Sequence, residues 1–340
     1  MPLSKKEEKI LKSIVVASEN DPNRPEFPPE KPKFPATPTY QIKVPSFDNI
    51  WLKDESFNPT GTHKDRMAWE MVVTYKQLLL AKKEGRISSL PHMSIISSGS
   101  AANAIQHMLK KYGLPNLKVL VDNKIDQNIK KALQKIGCEI YETDLSKQVL
   151  SKEDILKSTN NSGGIDITSD DSLGPYDIFY DWMSYEILNE DPEYLFLPYG
   201  TGHLFENIIN IAIRESKKSL PHDRRFKGNI KKIKNCNFLG ATTNNPQTKA
   251  DKLYSPHLPF IHFDTRWIKL AISNGYIGTG SNVYNIQEHY LEEAIKIAKA
   301  QKINCEPSGI AGLALLLQMK NEIPKNKKIL IVNTGKTKYL

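Results

Sequence analysis

Short apolar runs alternate with segments of helical periodicity along most of this chain, and that rhythm limits the fold more than any other feature. Runs of strand length stand at 50–53, 93–97, 118–121, 138–141, 195–198, 237–240 and 328–332. Helix-period segments stand at 65–83, 101–112, 127–136, 176–188, 204–217, 287–300 and 308–320. Gly85, Gly113 and Gly137 follow three of these segments, where a helix ends most easily. A strand that returns through a helix must lie parallel to the next strand. The sequence therefore predicts an α/β fold of mostly parallel sheets flanked by helices.

The remaining features narrow the class. A chain of 340 residues, 39% hydrophobic and 25% charged, can bury a core and suggests two domains or one large α/β unit. The longest apolar stretch, at 309–317, is about half a membrane span, and the N-terminal residues mix acids with bases, so neither a span nor a secretory signal is expected. Cys138, Cys236 and Cys305 are odd in number, far apart and free of a CxxC pair. That pattern argues against a disulfide framework and fits buried thiols in a reducing, cytoplasmic compartment. Residues 21–38 hold seven of the 21 prolines and read as an extended arm, because proline suits neither a helix interior nor a central strand.

The excess of 47 Lys and Arg over 38 Asp and Glu gives a net charge of +9. Most of the basic residues come as scattered pairs near predicted helix ends, where they favour the dipole. Only 224–234 is dense. It reads as a solvated loop, and no nucleic-acid or membrane partner is expected.

In open α/β sheets ligands bind beyond the carboxyl ends of the strands. The loops there, at 58–65, 97–103, 199–203, 306–309 and 333–336, are rich in Gly, Ser, Thr and Asn. Tyr199-Gly200-Thr201-Gly202-His203 joins a strand to a helix, and its two glycines let several N–H groups converge at a helix N-terminus. Such a loop can cradle a phosphate. Phe205 rules out GxGxxG, and Leu330 rules out a GxxxxGK loop ending at Lys336. Lys64 starts a helix, where a positive charge opposes the dipole. It is either an exposed lysine offset by Asp65 or a lysine held in a cleft to form a Schiff base with a carbonyl. His203 and Glu206 share a helix face but lack a third ligand nearby, so no metal site is expected. His257 and His262 lie among prolines and read as loop residues.

A phosphate cradle together with a Schiff-base lysine suggests pyridoxal 5′-phosphate, and here larger segments match. WLKDESFNPTGTHKDRMA, SSGSAANA, LFLPYGTGHLFENI, INCEPSGIAGLALL and ILIVNTGKTK stand in family order between about 37 and 338. Together they resemble the tryptophan synthase β-like superfamily, the fold type II pyridoxal-phosphate enzymes, with threonine synthase the nearest branch. The resemblance implies two α/β domains with the cofactor in a cleft between them. The smaller domain would cover 46–168, and the larger 1–45 plus 169–340. Lys64 would carry the Schiff base and act as the base at Cα, with His63 beside it. Gly200, Thr201, Gly202, His203 and Leu204 would hold the phosphate, and Thr334 would face the pyridine nitrogen. Ser98, Gly99, Ser100, Ala101 and Ala102 would receive the substrate carboxylate. Where the family usually has Asn after the glycine of this loop, facing the cofactor's ring oxygen, the chain has Ser100, with Asn103 one turn on to take that place. Glu306 resembles a position near the cofactor in the serine racemase and dehydratase relatives, and reads equally as a surface acid after a strand. The implied reaction is elimination or replacement on an amino acid, first O-phosphohomoserine to threonine, with Lys336 and Lys338 available for the substrate phosphate. Serine/threonine dehydration and cysteine-synthase-type replacement come second, and a non-catalytic ligand or partner binder third. Relatives are commonly homodimers.

Overall fold

The computed structural model of the chain describes residues 4–15, 31–168, 180–217, 223–254 and 266–339. Helix α1 (Lys5–Val15) is followed by strands β1 (Thr39–Gln41) and β2 (Ile50–Asp54), then α2 (Lys64–Lys83). Next come β3 (Met93–Ile96), α3 (Ser100–Lys111), β4 (Lys118–Asp122), α4 (Gln127–Ile136), β5 (Glu139–Thr143), α5 (Lys152–Ser158) and β6 (Ile165–Asp166). The chain continues through α6 (Asp181–Leu188), β7 (Tyr194–Pro198), α7 (His203–Ser216), α8 (Ile230–Asn235), β8 (Asn237–Thr242) and α9 (Arg266–Ser273). It closes with β9 (Asn282–Asn285), α10 (Glu288–Ala300), α11 (Ala311–Gln318) and β10 (Ile329–Asn333).

The strands form a six-stranded sheet, β1-β2-β10-β7-β8-β9, and a four-stranded sheet, β5-β4-β3-β6. Every pairing is parallel except that of β1 with β2. The alternation thus folds as parallel sheets flanked by helices. All five residues of β10 are buried, because helices cover both faces of its sheet. On one face lies α11, so close that a side chain on Gly312 would stand 2.8 Å from the Phe196 carbonyl of β7. Its leucines 313 and 315–317 are buried, each adding about 1.5–3 kcal/mol relative to exposure.

Several elements have no clear period in the sequence. Among them are β1, β6 and β9, each four residues or shorter, and α5, which is set by the capping box of Ser151 and Asp154. The helix expected at 176–188 is α6 from Asp181, and residues 176–179 lie outside the described residues, as do 21–30 of the proline arm and both His257 and His262. The strand at 50–54 pairs in the six-stranded sheet, whereas the four-stranded sheet draws on 93–166. Helix α2 then carries the chain from the larger sheet to pack against α3 on the smaller one.

Within the basic 224–234 stretch, one residue departs from a solvated loop. Arg225 is buried, donates to Asp223 (2.7 Å) and Asp181 (3.4 Å), and lies over the Tyr185 ring at 4.4 Å. Tertiary packing brings it counter-ions that the local sequence does not show. No helix among the described residues is long and apolar enough to cross a membrane.

Candidate active site

The loops leaving β2, β7, β8 and β10 meet the loop leaving β3 of the smaller sheet. Lys64 is placed by the most constrained of them. Asp54, at the end of β2, accepts from Ser56 N (3.0 Å), Tyr40 OH (2.7 Å) and Asn333 Nδ2 (2.8 Å), tying β2 to β10. The turn at 60–62 then docks on the C-terminal segment: Lys336 N donates to Gly61 O and Lys338 N to Thr60 O, each at 2.9 Å. Gly61 (φ +82°) has no room for a side chain, since a Cβ would stand 2.4 Å from Lys336 O. His63 N donates to Thr334 O (3.1 Å), and α2 begins at the next residue.

At that helix start the Lys64 ammonium donates to Tyr180 OH at 2.9 Å, and the His63 ring stacks on the same tyrosine at 5.4 Å. Lys64 is half-buried. Desolvation first, and the Lys64 charge second, hold both His63 and His203 down at about 3, so both rings are neutral at pH 7. The shared influence places Lys64 beside the 199–203 loop, 135 or more positions away in sequence.

That loop is a tight cradle. Gly202 takes φ +89° as the N-cap of α7, and a Cβ there would stand 2.8 Å from Tyr199 OH and 2.9 Å from Glu206 Oε1. At Gly200 a Cβ would meet Lys252 O at 3.0 Å. Thr201 Oγ1 lies 3.0 Å from His203 Nδ1, and Leu204 is buried behind them. First-turn N–H groups of α7 lack an acceptor within the helix, so the loop offers donors and partial positive charge without side-chain bulk. This fits the phosphate of a pyridoxal cofactor. Thr334, buried, is held over the 306–309 turn by its N–H to Gly309 O (3.0 Å).

The 97–103 loop opens α3. Ser97 Oγ accepts from Gly99 N (3.1 Å) and Ala102 N (3.3 Å), which shapes the loop, while Ser98 is exposed. Ser100 Oγ lies 2.8 Å from Thr337 Oγ1 and accepts from Lys252 Nζ at 3.0 Å. The Asn103 amide nitrogen donates to Lys338 O (3.0 Å), so that donor faces the C-terminal segment. Of the residues expected from sequence, His63 and Lys64 meet at Tyr180, the Lys64 charge reaches His203, and Ser100 meets the C-terminal segment. Sequence reasoning missed Tyr180, Ser97, Lys252 and Thr337. Ser97 could have been found as a hydroxyl just before a helix start; the other three carry no local signal.

The titrations of this site predict acid lability. An unfolded histidine protonates near 6.5, whereas His63 and His203 resist protonation until about pH 3, so stability falls as pH drops through this range. Asp65 works the other way: burial raises it to about 6 against hydrogen bonds from Thr60, which favours the fold between about pH 6 and 4. With two histidines against one aspartate, the urea midpoint is expected to fall from pH 7 to pH 4, and less steeply in a His63→Gln, His203→Gln variant. A midpoint flat across that range would refute the assignment.

Known proteins resemble the chain at three levels. Residues 33–335 match the family model described as pyridoxal-phosphate dependent enzyme. A threonine synthase of Synechocystis sp. is 22% identical over 318 residues, covering 89% of this chain and 75% of the relative. A cysteine synthase of Aquifex aeolicus is 30% identical over 114 residues, 32% of this chain and 33% of the relative. Among solved structures, that of an O-ureido-L-serine synthase superposes with a TM-score of 0.62 at 15% identity and covers 89% of both chains. The last of these speaks for the fold alone.

Proposed function

Because this chain belongs to the pyridoxal-phosphate dependent enzymes, we propose that it carries out elimination or replacement at the β or γ carbon of an amino acid, with O-phosphohomoserine to threonine as the first candidate. The observation that carries the reading is Lys64: a half-buried lysine at a helix start, hydrogen-bonded to Tyr180 and electrostatically coupled to the histidine of a phosphate cradle. When bound, the cofactor supplies an aldehyde for an amine and a ring that takes up the electron pair released at Cα.

The chain's own residues do the rest. Lys64 Nζ would be the amine that holds the cofactor and the base that takes the Cα proton of the substrate. Tyr180 OH steadies that amine at 2.9 Å. Gly200, Thr201, Gly202, His203 and Leu204 would bind the phosphate, chiefly through N–H groups. Neutral His63 and His203 add no positive charge beside Lys64. Thr334 would offer the ring nitrogen a hydroxyl, which would not hold a proton there as an aspartate would. That favours elimination and replacement over transamination. The N-terminus of α3, with residues 98–102, receives the substrate carboxylate. Closure of the four-stranded unit over substrate would exclude water from the reacting centre.

Length of match supports the threonine-synthase reading, since that relative aligns with 89% of the chain. A cysteine-synthase-type β-replacement is the second reading, favoured by the higher identity of the shorter match. A non-catalytic binder would have no use for a Schiff-base amine.

The test begins with the absorption spectrum of purified protein loaded with cofactor, followed by titration with serine, threonine, O-acetylserine and O-phosphohomoserine. A visible band that shifts with one of these, with release of phosphate, acetate or a keto acid, is expected. Protein that stays colourless with added cofactor refutes the proposal.

A further inference from the structure

We infer that Lys252 makes this site selective for amino acids carrying a second anionic group, a phosphate or a carboxylate, in addition to the α-carboxylate. The inference rests on the reading that amino-acid chemistry takes place at Lys64. Lys252 lies in the short turn Asp251–Leu253 after β8, in a part of the sequence without a recognisable motif. Its backbone and its side chain reach opposite walls of the cleft. The Lys252 carbonyl packs against Gly200 of the phosphate cradle, so close that a Cβ on Gly200 would meet it at 3.0 Å. Its N–H is fixed by Ser308 Oγ at 3.1 Å. The ammonium extends to the other wall and donates to Ser100 Oγ (3.0 Å) at the start of α3 and to Thr337 Oγ1 (3.2 Å). Its charge also reaches His63, where it adds to the effect of Lys64.

One fixed cation and two hydroxyls therefore converge between the two loops that would hold cofactor and substrate. In the free protein Glu306 Oε2 is the counter-ion, at 2.5 Å. Both side chains keep part of their surface in solvent, 28% for Lys252 and 19% for Glu306, so a ligand anion can reach the ammonium. The Ser100 and Thr337 hydroxyls lie 2.8 Å apart with either able to donate, so both can rotate to donate to an incoming oxyanion. A phosphate or carboxylate on the substrate side chain would thus gain a charge-assisted bond and two neutral ones. A neutral side chain would leave Glu306 as the only anion on Lys252. Glu306 on this account is a placeholder that competes with the substrate.

The experiment compares wild type, Lys252→Met and Glu306→Gln, each loaded with cofactor and checked for native circular dichroism. Affinity is read from the shift of the cofactor absorption band on titration with O-phosphohomoserine, O-phosphoserine and aspartate, and with the neutral O-acetylserine and serine. The phosphorylated pair and aspartate distinguish a phosphate from a carboxylate as the favoured anion. The ratio of neutral to anionic dissociation constants is expected to fall about 10- to 100-fold in Lys252→Met. In Glu306→Gln, which removes the competing carboxylate, the same ratio should rise. A ratio unchanged in both variants, or a wild type that binds the neutral amino acids better, overturns the inference. Absence of any cofactor band in the wild type is a different result, and overturns the proposed function instead.

Discussion

Replacing Lys64 by alanine is expected to leave a folded protein that no longer fixes its cofactor and whose kcat/KM falls by about 10²- to 10⁴-fold, the range lost with a positioned general base. Lys64 is half-buried and its ammonium donates to one tyrosine hydroxyl, so truncation opens little space and the fold should persist. Borohydride reduction followed by mass spectrometry reads the first part: a cofactor-sized adduct on Lys64 in the wild type and none in the variant. A second signature follows from the electrostatics. The Lys64 charge helps to hold His63 and His203 near 3, so removing it should move both upward in a histidine NMR titration. Retained turnover, or histidines that do not move, would contradict the geometry.

Arg66→Met is expected to cost about 3–5 kcal/mol of stability, the usual result of stranding one member of a buried ion pair. Arg66 Nε donates to Glu55 Oε2 at 3.1 Å, and its two terminal nitrogens reach Glu186 at 3.0 and 2.9 Å. Lys53 joins the same cluster through Glu186 (2.6 Å), and Thr37 Oγ1 donates to Glu55 at 2.5 Å. Burial alone would raise the Glu55 pKa, but Arg66 and Lys53 keep it down at about 2. Its contribution is therefore present at neutral pH and lost as pH falls from about 5 to about 2. The cluster ties β2, the first turn of α2 and α6 together, two residues from Lys64, so its loss should also loosen the lysine. A loss of unfolding free energy smaller than about 1 kcal/mol, read from urea denaturation, would rule out this role. Adding Glu55→Gln to Arg66→Met should recover part of the loss, because the stranded charge goes with it.

Several of these residues were legible in the sequence, and for local reasons. Lys64 stood out because a lysine opposes the dipole at a helix start, and Gly200 and Gly202 because only a tight turn between strand and helix needs two glycines there. In contrast, Lys252, Tyr180 and Thr337 gave no sign. Each meets its partner across more than 80 positions: Lys64 to Tyr180, Lys252 to Ser100, Thr337 to Ser100. Arg225 looked like part of a solvated basic stretch until packing supplied Asp181 and Tyr185.

The sequence by itself determined the class of the fold and where ligand-binding loops should fall. Helix and strand periods, caps and turn glycines are set by neighbours within a few residues, and the returns through helices require parallel strands. Only the tertiary structure decided that β2 belongs to the six-stranded sheet. Only it brought Tyr180 to Lys64, and made Lys252 span the space between the phosphate cradle and the α3 N-terminus. Such contacts arise because parallel strands bring distant loops to one end of a sheet, and a side chain's eventual partner leaves no periodic trace in its own segment.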